Sequence, residues 1–348
     1  MNRHMSLVLF VVFAAAAAAI ASSPAQEGVG AARAAQAPER TTLSGPYLGL
    51  ERPGTTPTVF APGIVSTGQD ELNGSFTPDG REFYYSIGNP LRSYYAVVGM
   101  REVDGRWGRP EVMSFSGRFS DADPFVSADG RRLYFVSRRP TAEGATEDKD
   151  WDIWFVERRG DGWGEPRNVG APVNTPRNEM YISVTRQGTL YFHSNREEGR
   201  SDMDIYRAPV VDAGYGVPEN LGTVVNSRFN EWDPLAAPDD SYVIYTSSGR
   251  PDDMGRGDLY VSFRSPDGTW TPGRNMGAPI NSNAFDYCPV LSPDGRSLFF
   301  SSYRTLPLTS AAARRSLSDL LALFARPASG LGDIYWVDAK VIENLRPR

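Results

Sequence analysis

Five times along the chain, a short apolar strand, a polar turn and a second strand dense in aromatic and β-branched residues follow one another. The copies read GSFTPDGREFYYS from Gly74, PFVSADGRRLYFVS from Pro124, ISVTRQGTLYFHS from Ile182, PLAAPDDSYVIYTS from Pro234 and PVLSPDGRSLFFSS from Pro289. Gly80, Gly130, Gly188, Asp240 and Gly295 supply the positive φ of each turn, so every copy predicts a β-hairpin. These turn residues stand 50, 58, 52 and 55 residues apart. A third strand follows as YYAVVG at Tyr94, WDIWFV at Trp151, MDIYRA at Met203, GDLYVS at Gly257 and GDIYWV at Gly332. A fourth is announced by an aromatic and a proline at Trp107, Trp163, Tyr215 and Trp270. Four strands per period of this length predict an all-β chain, a β-propeller of five four-stranded blades with six as the alternative.

Only four copies of the fourth strand serve five hairpins. The segment TVFAPGIVS at Thr58 matches NMGAPINS at Asn275, so Thr58–Ser66 is expected to pair with Gly332–Ala339 and close the ring, leaving no open sheet edge. Residues 46–348 then form a single propeller domain. Residues 26–45, rich in Ala, Gly and Pro, are expected to be a disordered leader.

The repeated order of acid, Pro, Ser-Pro-Asp-Gly, aromatic strand, Asp-Ile-Tyr and Trp-x-x-Pro-x-Asn-x-Gly resembles the WD40-like repeat of TolB-type periplasmic propellers over residues 58–340. The resemblance implies an envelope protein. It assigns no activity, because one scaffold hosts many sites.

Arg3 precedes an apolar run from Leu7 to Ile20 that ends in small residues, which predicts a Sec-type signal peptide over 1–25 and a periplasmic or secreted chain starting at Ser22 or Gln26. The run is too short for a membrane span, and the one cysteine, Cys288, is far from any lipobox, so no membrane insertion is expected after cleavage. Net charge is -6. A mildly acidic surface argues against nucleic acid as the partner.

Nine residues before each turn position stands an acid in every copy: Glu71, Asp121, Glu179, Glu231 and Asp286. They either cap the backbone of a neighbouring connection or ring the channel mouth as a ligand site. Arginines after the second strand are expected to pair with aspartates opening the third: Arg138 with Asp152, Arg196 with Asp204, Arg250 with Asp258 and Arg304 with Asp333. In the first copy Ser93 stands where the aspartate would be, which frees Arg92 for a ligand.

Beyond the signal the only histidine is His193, read as a packed strand residue level with Tyr85, Phe135, Tyr245 and Phe300. No cofactor or multi-histidine metal site is expected, and no nucleophile elbow or phosphate loop occurs. Cys288, aligned with Asp123 and Asp233, reads as buried and inert.

Two connections between second and third strands are enlarged, one at Arg138–Asp150 and one from Thr305 to Gly330. In the latter Leu317, Leu320, Leu321 and Phe324 fall at helical spacing, with Thr309 or Ser310 to cap the helix and Pro327 with Gly330 to stop it. The leading functional expectation is a non-catalytic propeller binding an envelope protein or glycan through this rim, using the five acids, Arg92, Leu320 and Phe324. A glycan-active hydrolase or lyase with paired carboxylates at the channel mouth is the alternative.

Overall fold

The computed structural model describes residues 43–347, except 142–149, 213 and 306–313. The expected signal peptide, most of the leader, much of the second-blade insertion and the expected caps Thr309 and Ser310 lie outside the described residues.

Five antiparallel sheets of four principal strands stand around one axis. Blade one is built from Asp70–Phe76, Glu82–Gly88, Tyr95–Val103 and Glu111–Val112, blade two from Asp121–Val126, Arg132–Ser137, Asp152–Arg159 and Arg167–Asn168. Blade three is Glu179–Val184, Leu190–Ser194, Asp204–Ala208 and Glu219–Asn220; blade four is Asn230–Ala236, Tyr242–Ser248, Asp258–Phe263 and Arg274–Asn275. Blade five takes Asp286–Leu291, Ser297–Ser302 and Asp333–Asp338, and its outer strand is Thr58–Val59, with Thr58 opposite Trp336 and Val59 opposite Tyr335. The chain is therefore a five-bladed β-propeller closed by its N-terminal strand.

Inner strands are buried on both faces because each sheet is covered by its two neighbours. The result is five hydrophobic clusters, one per blade interface. At the closing interface Phe60 is fully buried, with ring centroids 5.3 Å from Phe83, 5.1 Å from Phe299 and 5.2 Å from Trp336. An asparagine clamp repeats around the ring: Asn174, Asn226 and Asn281 each bond both the N–H and the C=O of a third-strand residue, Ile153, Ile205 and Leu259. Ser66 does the same to Ile334, so the closing strand copies an ordinary crossover.

The described end of the leader is not loose. The carbonyls of Leu43 and Gly45 accept the main-chain and indole N–H of Trp107, which ties residues 43–45 to blade one.

The blade-five insertion contains the expected helix, Leu317–Phe324, opened by a capping box between Ser316 and Asp319. Its C-terminal end rests on Gly68, where a Cβ would lie 2.6 Å from the Ala325 carbonyl carbon. The expected stripe is not buried: Leu317, Leu321 and Phe324 are 72%, 58% and 60% exposed, and Leu320 is half-buried.

Two outcomes are expected. Phe60→Ala should cost about 3–5 kcal/mol in denaturant unfolding, and deleting residues 46–66 should abolish the cooperative transition; an unchanged melting temperature in the truncated chain would exclude the closure. Leu321→Asp with Phe324→Asp should change stability by no more than about 0.5 kcal/mol per site, which calorimetry checks.

Candidate active site

The five acids at the start of the inner strands are each at most 1% exposed, with their carboxyls turned into the protein. Each holds the crossover from the preceding blade. Glu179 accepts the N–H and hydroxyl of Thr175 at 2.9 and 2.7 Å, Ser194 at 2.9 Å and Arg196 at 3.2 Å. Glu231 repeats this with Ser227, Ser247 and Arg250, and Asp286 with Ser282, Ser302 and Arg304. Asp121 takes Ser116, Ser137 and Arg139. The reading of these acids as a ligand-binding mouth therefore gives way to the capping one. The arginines also pair differently from the expectation: they reach the inner-strand acids, and in blade two the residue is Arg139. Asp152, Asp204 and Asp258 accept Asn168, Asn220 and Asn275 instead, each at 2.8 Å, while Asp333 accepts the Ala328 N–H.

Two residues further along every inner strand the pairing register slips, and the residue at the slip is left-handed: Asn73, Asp123, Tyr181, Asp233 and Cys288, with φ between 49° and 55°. Left-handed backbone is tolerable for Asn and Asp but costs on the order of 1–3 kcal/mol for bulkier residues, and such strain gathers at functional sites. Here the ring carries five side chains of four chemical types. Tyr181 crosses the axis and donates to the Pro289 carbonyl at 2.6 Å, fully buried, so it plugs the channel.

Above this plug, at the end where the chain crosses between blades, opens a pocket of about 230 Å³. Trp151, Trp232, Phe285, Tyr95 and Tyr287 line its walls, and Asp123, Asp233, Cys288, His193 and Arg92 bring the polar groups. Asp123 has its carboxyl pushed up to about 8 by burial and then by the neighbouring Asp233 charge, against the lowering influence of Arg92, the Asn73 side chain and the Tyr181 N–H. Asp233 accepts the Cys288 N–H at 3.2 Å and the Thr246 hydroxyl at 3.3 Å, and burial raises it only to about 6. Arg92 acts on both, lowering each. At neutral pH one carboxyl thus keeps its proton while the other is ionised.

His193 belongs to this wall, not to the aromatic core. It pairs with Met180 as Ser86 does with Leu72 and Thr246 with Trp232, whereas Phe192 stands level with Tyr85. The chain after Gly188 is one residue shorter than in the other blades, which shifts the frame. Its Nδ1 accepts the Asp233 N–H at 3.1 Å, as the Ser86 hydroxyl accepts that of Asp123, and burial lowers the imidazole to about 3. A neutral ring with Nδ1 as acceptor carries its proton on Nε2. The Cys288 thiol is pushed well up by burial and stays protonated.

Arg92 is not free as expected. Its Nε donates to Asp70 at 3.0 Å and its Nη2 to the Tyr287 hydroxyl at 2.6 Å, but it does line the pocket. The sequence signal for the pocket was the position seven residues before each turn, where the copies disagree.

No family model matches the chain and no curated protein matches it. Among solved structures it is similar to a glycoside hydrolase at 10% identity, with 83% of this chain and 93% of that one covered and a TM-score of 0.50. An alpha-L-arabinofuranosidase from Lactobacillus brevis aligns at 11% identity over 78% and 91%, with a TM-score of 0.44. The catalytic domain of a Coprinopsis cinerea alpha-L-arabinofuranosidase gives 12% over 82% and 97%, also with a TM-score of 0.44. At these identities the likeness concerns the fold.

Asp123 has a raised folded-state pKa, so its contribution to stability is complete below the unfolded value near 4 and is lost as pH rises through about 8. The melting temperature should accordingly fall between pH 5 and pH 8, and Asp123→Asn should flatten that fall and melt higher than wild type at pH 8.

Proposed function

We propose that the chain is a glycan-active hydrolase working at the Asp123–Asp233 pocket. The observation that carries this reading is a pair of buried carboxyls, Asp123 raised further by the charge of Asp233, with opposite protonation at neutral pH inside an aromatic-walled pocket. Aromatic faces suit the apolar face of a sugar ring, and a blind pocket below the about 300–1,000 Å³ of ordinary ligand sites admits one ring rather than a chain. The fold shared with a glycoside hydrolase is compatible with this and adds no more than that.

Asp123, holding its proton, donates to the glycosidic oxygen as the bond to the anomeric carbon breaks. Asp233, ionised, acts on the other side of that carbon as base toward water or as nucleophile. His193 and Cys288 hold Asp233 through its backbone and carboxylate. This assignment replaces the leading sequence expectation of rim binding by the five acids, since those acids are engaged inside the ring. We retain as proposals the TolB-like kinship read from the repeats and export by the 1–25 signal to the periplasm or beyond.

Hydrolysis of a panel of aryl glycosides and plant or envelope glycans should show a bell-shaped pH dependence. The acid limb follows Asp233 near 6, and the alkaline limb follows Asp123 near 8. Asp123→Asn and Asp233→Asn should each lower kcat by about 100-fold or more while the protein stays folded. Sugar binding without turnover by any panel member would leave a lectin-like site and end the hydrolase reading.

A further inference from the structure

Blade one departs from the other four at one place. Where Arg139, Arg196, Arg250 and Arg304 close the latch on the inner-strand acid, blade one has Ile87 in the serine position, and Glu71 is held by Thr67 alone among these groups. Without a cation beside it, Glu71 is pushed up to about 7 by burial. The arginine of this blade, Arg92, stands elsewhere. It is left-handed at φ 55°, braced by buried Asp70, and laid over the rings of Tyr287 and Tyr303, its guanidinium carbon 5.3 and 4.5 Å from their centroids. Asp70 is in turn fixed by the Gly332 N–H at 2.8 Å.

A guanidinium held by a carboxylate, a phenol and two aromatic faces has lost most of its freedom before any ligand arrives. Nε and Nη2 are spent on Asp70 and Tyr287, so among the described residues Nη1 has no partner, and the side chain keeps 36% of its exposure at the pocket. Blade one carries Asn89 two places past Ile87, where three of the other blades carry the latch arginine two places past the serine, and its own arginine, paired with Asp70, lines a sugar-sized pocket where its remaining edge suits an anionic group.

We propose that the pocket takes an acidic sugar whose carboxylate is bound by the Arg92 guanidinium. The proposal rests on the glycan-active reading and specifies its substrate class. Arg92 offers two Nη1 protons to a carboxylate. Near neutral pH Asp123 is uncharged and Asp233 is the one anion of the carboxyl pair, so the ring can sit with its anomeric carbon at that pair and its own carboxylate turned to the arginine and away from Asp233. The same placement explains why Arg92 lies close enough to lower both Asp123 and Asp233.

The test measures binding of glucuronate, galacturonate, glucose and galactose to the full chain through the fluorescence of Trp151 and Trp232, for wild type, R92K and R92Q. One uronate should bind at least about ten-fold tighter than its neutral counterpart. That preference should vanish in R92Q and survive in part in R92K. Equal binding of acid and neutral sugar by wild type, or a preference untouched in R92Q, overturns the proposal. Should R92Q melt early, salt decides. Uronate affinity that weakens with ionic strength while neutral-sugar affinity does not supports the proposal, and indifference of both overturns it. Turnover is followed separately with uronides and neutral aryl glycosides. Uronate preference without turnover supports the acidic-ligand site and sinks the hydrolase reading. Turnover of neutral glycosides with uronides untouched sinks the acidic-sugar proposal and keeps the hydrolase.

Discussion

The structure hangs on a buried carboxylate that ties each blade to the strand arriving from the one before. Four times an arginine, a serine of the second strand and a Ser or Thr of the crossover converge on one carboxyl, and the arginine also donates to a crossover carbonyl, as Arg196 does to Val173 and Arg139 to Phe115. The ion pair alone would be a poor source of stability, since desolvation offsets its attraction. Its value is specificity of register. Breaking one partner away would strand a buried charge at a cost of about 3–5 kcal/mol, so each crossover has one permitted place, and the asparagine clamps fix the third strand against the same segment. The five apolar interfaces then supply the bulk of the burial.

That rigidity makes the centre available for chemistry. The strained residue two places past each latch is held because the latch before it and the hairpin after it over-determine the strand. Around the axis the strained positions carry Asn73, Asp123, Tyr181, Asp233 and Cys288. Tyr181 closes the bore, which turns a channel into a pocket and dries its floor. Burial is what raises Asp123 and Asp233, and the Asp233 charge pushes Asp123 further, so a protonated carboxyl and a carboxylate coexist within one small space.

Blade one lacks a structural contact that the other four blades keep. Asn89 stands where most latches have their arginine, Arg92 lies further along and lines the pocket, and Glu71 is left with a threonine and an elevated pKa. The blade-five helix, with its exposed apolar residues, rests on Gly68 at the same end of the ring as the pocket.

Period, hairpin turns and the matching segments at Thr58 and Asn275 were enough by themselves to predict the strands, the closure of the ring and five blades with six left open, because turn chemistry and alternation are local properties; the strand pairing then decided for five. The repeated acids were legible too, but their uniformity meant structure, not function: a contact needed once per blade recurs in every blade. What the tertiary structure alone decided was the pocket. Asp123, Asp233 and Cys288 align in sequence, yet nothing local says that they meet across an axis, that Tyr181 seals it or that Arg92 lines the pocket beside them. His193 was misplaced for a simple reason. Counting from Gly188 puts it among the aromatics, and only the hydrogen-bond register, with one residue fewer after the turn, carries it one position on to face the carboxyl pair.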